Sequence, residues 1–181
     1  GYMVQGSMFK GPNYGLKRYN ARLNLHHKMY ENLTIDATIA YARNEIKDHA
    51  YWTEWLIEQA NRMPSIYEIK DKDGNYTFPS GSNSNALARL ERGGYRKSMN
   101  DDLSATLSAE LHIWDGLKLK GMVGGQLYNN RMHENRKAID IPGSGDTENR
   151  MTENFGRTQN ITTNLMLTYD KTFGKHTVGA M

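Results

Sequence analysis

The stretch LSATLSAELHIWDGLKLKGMVGGQL, residues 103–127, decides how the chain is read. Leu103, Ala105, Leu107, Ala109, Leu111 and Ile113 alternate with Ser104, Thr106, Ser108, Glu110 and His112. A period of two places these sets on opposite faces of a β-strand. Asp115-Gly116 then supplies a tight hairpin turn. Beyond it the pattern resumes, with Leu117, Leu119, Gly121, Val123, Gly125 and Leu127 opposite Lys118, Lys120, Met122, Gly124 and Gln126.

The same alternation runs outward in both directions. In RYNARLNLH (18–26), Tyr19, Ala21, Leu23 and Leu25 share one face; in LTIDATIAY (33–41), so do Leu33, Ile35, Ala37, Ile39 and Tyr41. In NITTNLMLTY (160–169), Ile161, Thr163, Leu165, Leu167 and Tyr169 repeat it, and the turn DKTFGK leads to a further strand near His176. No charged residue stands on the apolar face of these five segments. Arg18, Arg22, Asp36, Glu110, Lys118 and Lys120 all stand on the other. The expected fold is all-β, an antiparallel meander of about six strands.

Composition narrows the class. The 181 residues contain no Cys, which excludes a disulfide framework, thiolate metal sites and thiol catalysis. A net charge of +3 is far from the basic stripe that a nucleic-acid partner requires, so none is expected. Mean hydropathy of −0.77 argues against a membrane-crossing helix. It is silent about a transmembrane β-barrel, whose strands alternate apolar and polar residues.

A charge-free face fits either a lipid-facing wall or the core of a soluble sandwich. Connection lengths separate the two. Short turns join the first to the second, third to fourth and fifth to sixth expected strands, whereas the connections expected at about 42–102 and 128–159 are dozens of residues long. That alternation is the pattern of outer-membrane barrels. Tyr19 and Tyr41 close the loop-side ends of their strands, while Tyr30, Trp114, Tyr169 and Phe173 gather near the short turns, where an aromatic girdle would lie. Six strands do not close a barrel, since bacterial single-chain barrels begin at eight, so further chain is expected.

YNARLNLHHKMYENLTIDATIAYAR (19–43), NALARLERGGYRKSMNDDLSATLSAELHIWDGLKLKGMVG (85–124) and TTNLMLTYDKTFGKHTVGAM (162–181) together resemble the barrel of SusC/RagA-type TonB-dependent transporters. One departure stands out: members commonly carry Asn-Pro near the end of the long loop, where this chain has Asn85-Ala86. The resemblance implies that residues 1–181 are part of a TonB-dependent receptor β-barrel in the Gram-negative outer membrane, without its plug domain and remaining strands. It further implies import of oligosaccharides or peptides with a SusD-like surface lipoprotein, coupling to TonB through regions outside this segment, and contact with outer-membrane lipid. The alternative of another class is a soluble extracellular β-sandwich that binds glycans.

Catalytic patterns are incomplete, and neither enzymatic activity nor a cofactor is expected. HENRK (133–137) begins like a zinc-protease motif, but Lys137 occupies the second ligand position. GSGDTE (143–148) lacks a third glycine and a strand-to-helix setting. DKDGNY (71–76) departs from calcium-loop spacing and reads as a Gly-centred turn. His26 and His27 point to opposite faces of one strand.

DHAYWTEWLIEQANRMP (48–64) is the clear helical segment, with Trp52, Trp55, Leu56 and Met63 on one stripe and a stop before Pro64. Its stripe either packs the loop against the barrel mouth or offers Tyr51, Trp52 and Trp55 as flat faces to incoming solute. These three are the expected ligand-binding residues.

Overall fold

A computed structural model describes residues 1–6, 14–78, 85–139, 141 and 148–181. Seven strands form one antiparallel sheet in chain order: β1 (Tyr2–Gln5), β2 (Gly15–Tyr30), β3 (Leu33–His49), β4 (Gly94–Trp114), β5 (Leu117–Arg136), β6 (Arg150–Phe173) and β7 (His176–Ala180). Helices α1 (Thr53–Arg62) and α2 (Ala86–Arg92) lie between β3 and β4. The sheet is not closed. The all-β meander is therefore as expected, with three differences.

First, there are seven strands where about six were expected, because β1 is too short to display a period. Second, the strands outrun the alternating segments, so the long connections contract to 50–93 and 137–149. Beyond Tyr41 and before Leu103 both phases carry polar residues, and hydropathy loses its period although the ladder continues. Third, there are two helices. Asp48 and His49 still belong to β3, which delays α1 to Thr53, and α2 is started by Asn85, whose side chain accepts the Ala88 N–H at 3.0 Å.

Pairing register carries one face across the whole sheet. Leu23 pairs with Ile39, Ile39 with Ala105, Ala105 with Gly125 and Gly125 with Ile161; two rows toward the short turns, Ile35, Ala109, Gly121 and Leu165 align the same way. Cross-strand partners share a face, so the apolar sets of β2–β6 merge into one continuous surface. No second sheet covers it among the described residues: Leu23, Ile39, Val123, Ile161 and Leu165 are all exposed. A soluble sandwich would bury these side chains between two facing sheets. The opposite face is laced by polar contacts, including Thr38 Oγ1 to Asn24 (3.1 Å), Gln126 Nε2 to Asp102 (3.1 Å) and His26 to Asp36 (2.5 Å).

Register shifts finish the apolar band at the short-turn end. One lies between Lys28 and Tyr30, another between His112 and Trp114. Strict counting puts Tyr30 and Trp114 on the polar face. The shifts instead pair them with Leu33 and Leu117, and Leu117 pairs with Tyr169, so three aromatics edge the apolar face. Along β5 the band runs from Leu117 to Leu127, about 33 Å of strand and about 25 Å of height at a barrel tilt near 40°.

Toward the long connections the same face turns charged. The next row is Tyr19, Arg43, Asp101, Asn129 and Arg157, followed by Lys17, Glu45, Met99, Arg131 and Phe155. Lys47, Lys97, His133 and Glu153 form a third.

The buried core lies in the loop-side cap. Ala50, Tyr51, Leu56, Tyr76, Ala88, Ile139 and Ile141 form it, with Trp55 and Leu90 packed against them. Gly93 and Gly94 fasten this cap to β4. A Cβ at Gly93 would overlap the Arg89 carbonyl and the Tyr51 ring, and Gly94 combines a φ of +96° with close approach to the Asn135 carbonyl. Gly93→Ala is expected to destabilise the cap by about 1–3 kcal/mol, seen as faster hydrogen exchange at Tyr51 and α2 with the strands unchanged.

Candidate functional site

The cap brings the three expected ligand-binding aromatics together beside the polar face of the sheet, each under a cation. Asp48 at the end of β3 takes Arg96 of β4 at 3.1 Å, and the Arg96 guanidinium lies 4.5 Å from the Trp52 ring centroid. Tyr51 stacks on Trp55 at 5.5 Å. Arg89 of α2 covers both, at 4.9 and 5.0 Å, and Arg136 at the end of β5 approaches Tyr51 at 4.7 Å. Partly desolvated cation–π contacts are worth about 0.5–2 kcal/mol each. Three guanidiniums from different elements thus fix the loop's aromatic run onto the strand ends.

Exposure divides the three. Tyr51 is 6% exposed and belongs to the core, Trp55 is half-buried, and Trp52 at the start of α1 is 62% exposed. Trp52 therefore keeps a ring surface open to solvent while Arg96 holds its position. Tyr51 and Trp55 form the packing beneath it. Leu56 is buried on the inner side of α1, so part of the helical stripe does pack the loop. Arg89, Arg96 and Arg136 carried no periodic signal in the sequence; only the register of β4 against β5 and the return of α2 bring them together.

Electrostatics reinforce the clasp. Burial pushes the Asp48 carboxyl up, but hydrogen bonds from the His49 backbone and ring and from Arg96 outweigh it and hold Asp48 below the ordinary carboxylate range. Burial lowers the Arg89 guanidinium, yet an arginine remains cationic.

The other sequence candidates are placed elsewhere. His133 and Glu134 lie on β5 with side chains on opposite faces, and His133 contacts Glu153 at 2.8 Å. Asp71 accepts from the Asp73 and Asn75 N–H groups at 3.0 and 2.8 Å, closing a turn whose Gly74 has φ +83°. Residues 143–147 of GSGDTE lie outside the described residues. Among the described residues, no group of three or more His, Asp or Glu is arranged to hold a metal.

No family model matches the sequence, and no curated protein matches it significantly. Solved structures do resemble the fold. A chain of the RagAB peptide transporter superposes with a TM-score of 0.72 at 19% identity, covering 96% of this chain and 20% of that one. A chain of the RagAB peptide importer in its closed-closed state gives 0.69 at 18% identity, with 88% and 19% covered. The chain thus spans about a fifth of the length of the solved chains it matches. The likeness is one of fold.

Because Asp48 has a depressed carboxyl pKa, its contribution to the clasp is present above the unfolded carboxylate value of about 3.9 and is lost as pH falls through the lower folded value. Trp52 fluorescence, read with Trp55 and Trp114 replaced by Phe, is expected to stay constant from neutral pH to about 4 and to change only below it. Asp48→Asn should remove the acid transition.

Proposed function

We propose that residues 1–181 form part of the wall and outer loops of a SusC/RagA-type TonB-dependent transporter barrel in the outer membrane. The observation that carries this reading is the charge-free apolar band held in register across β2–β6, uncovered by any other described residues and edged by Tyr30, Trp114 and Tyr169. Its height of about 25 Å suits a bilayer's hydrocarbon core. The fold likeness to RagAB chains supports the same reading, as do the motifs that resemble the family.

In this proposal the odd-numbered face of β2–β6 meets lipid and the even-numbered face lines the lumen. Short turns then face the periplasm and the α1–α2 cap faces outward. The function is import by binding and gating, without covalent chemistry. The cargo is a peptide or oligosaccharide, and the RagAB neighbours, being peptide transporters, favour peptide. A SusD-like lipoprotein is the proposed partner above the cap, with TonB engaged through regions outside these residues. Trp52 is the proposed solute-facing platform, steadied by Arg96, with Tyr51 and Trp55 as its support. A flat ring suits either a sugar face or an apolar peptide side chain.

Two measurements test the reading. Leu165→Arg places a charge near mid-height of the lipid-facing side and should cost about 2–4 kcal/mol, lowering the amount of folded outer-membrane protein. Asn164→Arg, one residue away on the lumen side, should leave that amount unchanged. Equal yields for both would argue against a lipid-facing wall. In the intact transporter, Trp52→Ala should reduce solute uptake severalfold at an unchanged level of folded protein; unchanged uptake would remove Trp52 from the site.

A further inference from the structure

The charged rows above the apolar band stand on the lipid-facing side of the proposed wall, where no solute passes. They hold six cations, Lys17, Arg43, Lys47, Lys97, Arg131 and Arg157, against the carboxylates Glu45, Asp101 and Glu153. The described ion pairs on this face join Arg43 to Glu45 and Asp101, and His133 to Glu153. Lys17, Lys47, Lys97, Arg131 and Arg157 take part in none of these pairs. A cavity of about 320 Å³ is lined by Arg43, Arg131 and Arg157, by Asp101, which pairs with Arg43, by Asn129, and by the apolar Met99 and Phe155.

We infer that this patch binds the phosphorylated headgroup of an outer-leaflet lipid, with Arg131 and Arg157 receiving the phosphate and the lipid's acyl chains lying on the apolar band beneath. The inference rests on the wall reading above. Three observations converge on it. The cations share a face and a register with the apolar band, so one amphiphile spans both. They lie on the side of the band next to the α1–α2 cap, at headgroup depth for the outer leaflet. The cavity pairs guanidiniums, which bind phosphate through two parallel hydrogen bonds, with an aromatic and a thioether surface suited to the C–H face of a headgroup sugar.

The test uses the intact transporter in detergent, with native mass spectrometry after addition of bisphosphorylated lipid A or the same lipid stripped of its phosphates. Wild type is expected to retain the phosphorylated lipid about thirtyfold better, the preference expected for two surface cations. The double variant R131Q/R157Q should lose that preference. R18Q/R22Q makes the same charge change on the opposite face and should keep it. Inserted wild-type protein with no preference for phosphate would overturn the inference alone, as would an equal loss in R18Q/R22Q. Displacement of the lipid by an equal concentration of inorganic phosphate would assign the cavity to free phosphate instead. A wild-type chain that enters no bilayer would remove the wall reading, and the inference with it.

Discussion

The rest of the structure depends on one constraint, the register between neighbouring strands. A β-strand presents alternate residues to opposite faces, so a slip of one position in any ladder would move that strand's apolar set to the wrong side. From β2 to β6 the pairing holds through the whole apolar band: Leu33 meets Leu111, Leu111 meets Leu119, and Leu119 meets Leu167. Tight turns at Glu31-Asn32 and Asp115-Gly116 set two of these ladders locally. The polar contacts on the other face, such as Thr38 with Asn24 and Gln126 with Asp102, favour the same alignment. Among the described residues, register shifts occur where an aromatic, Tyr30 or Trp114, crosses to the apolar face.

The cap obeys a different physics from the sheet. It has an ordinary buried core built around Leu56, Ala88 and Tyr51, and it is joined to the strands by guanidinium–ring contacts and the Asp48–Arg96 pair. Arginines suit this junction because their flat groups stack on rings while their edges still donate hydrogen bonds. The consequence is a loop whose exposed Trp52 is positioned by rigid strand ends. Gly93 and Gly94 permit that closeness, since a side chain at Gly93 would push α2 and Tyr51 away from β4, and one at Gly94 would strike the Asn135 carbonyl of β5.

Much of the sheet was legible in the sequence, and the reason lies in the solvent each face meets. Where one face carries Leu23, Ile39 or Leu107 and the other Asn24, Thr38 or Ser108, alternation is plain. Past Tyr41, Arg43, Glu45 and Lys47 continue the apolar phase in position but not in character, so the period ended before the strand did. β1, with four residues, offered too few positions to alternate. Tyr30 and Trp114 depend on register shifts that no count of residues reveals. The second helix begins at Asn85-Ala86, where Asn85 is the cap and Ala86 the first helical residue, a position that accepts Ala as readily as the Pro common in the transporters the sequence resembles. The aromatic run Tyr51, Trp52 and Trp55 was visible, whereas the arginines that hold it are brought together only by tertiary structure.

The length of β5 has a consequence for how the two charged regions of this face and cap coexist. Arg96, under Trp52, pairs with Glu134, which lies seven residues beyond Leu127 at the edge of the apolar band. In the proposed wall that is about 23 Å along the strand and about 18 Å of height. Mobile ions damp electric fields over about 8 Å at physiological salt. The aromatic platform therefore stands about two screening lengths clear of the hydrocarbon edge, but Glu134 is only three residues, about 10 Å of strand, beyond Arg131. Hydrocarbon and platform are thus electrically separate, whereas phosphate held at Arg131 would lie about one screening length from Arg96, so the collar of cations is the element that passes the membrane's charge on to the platform.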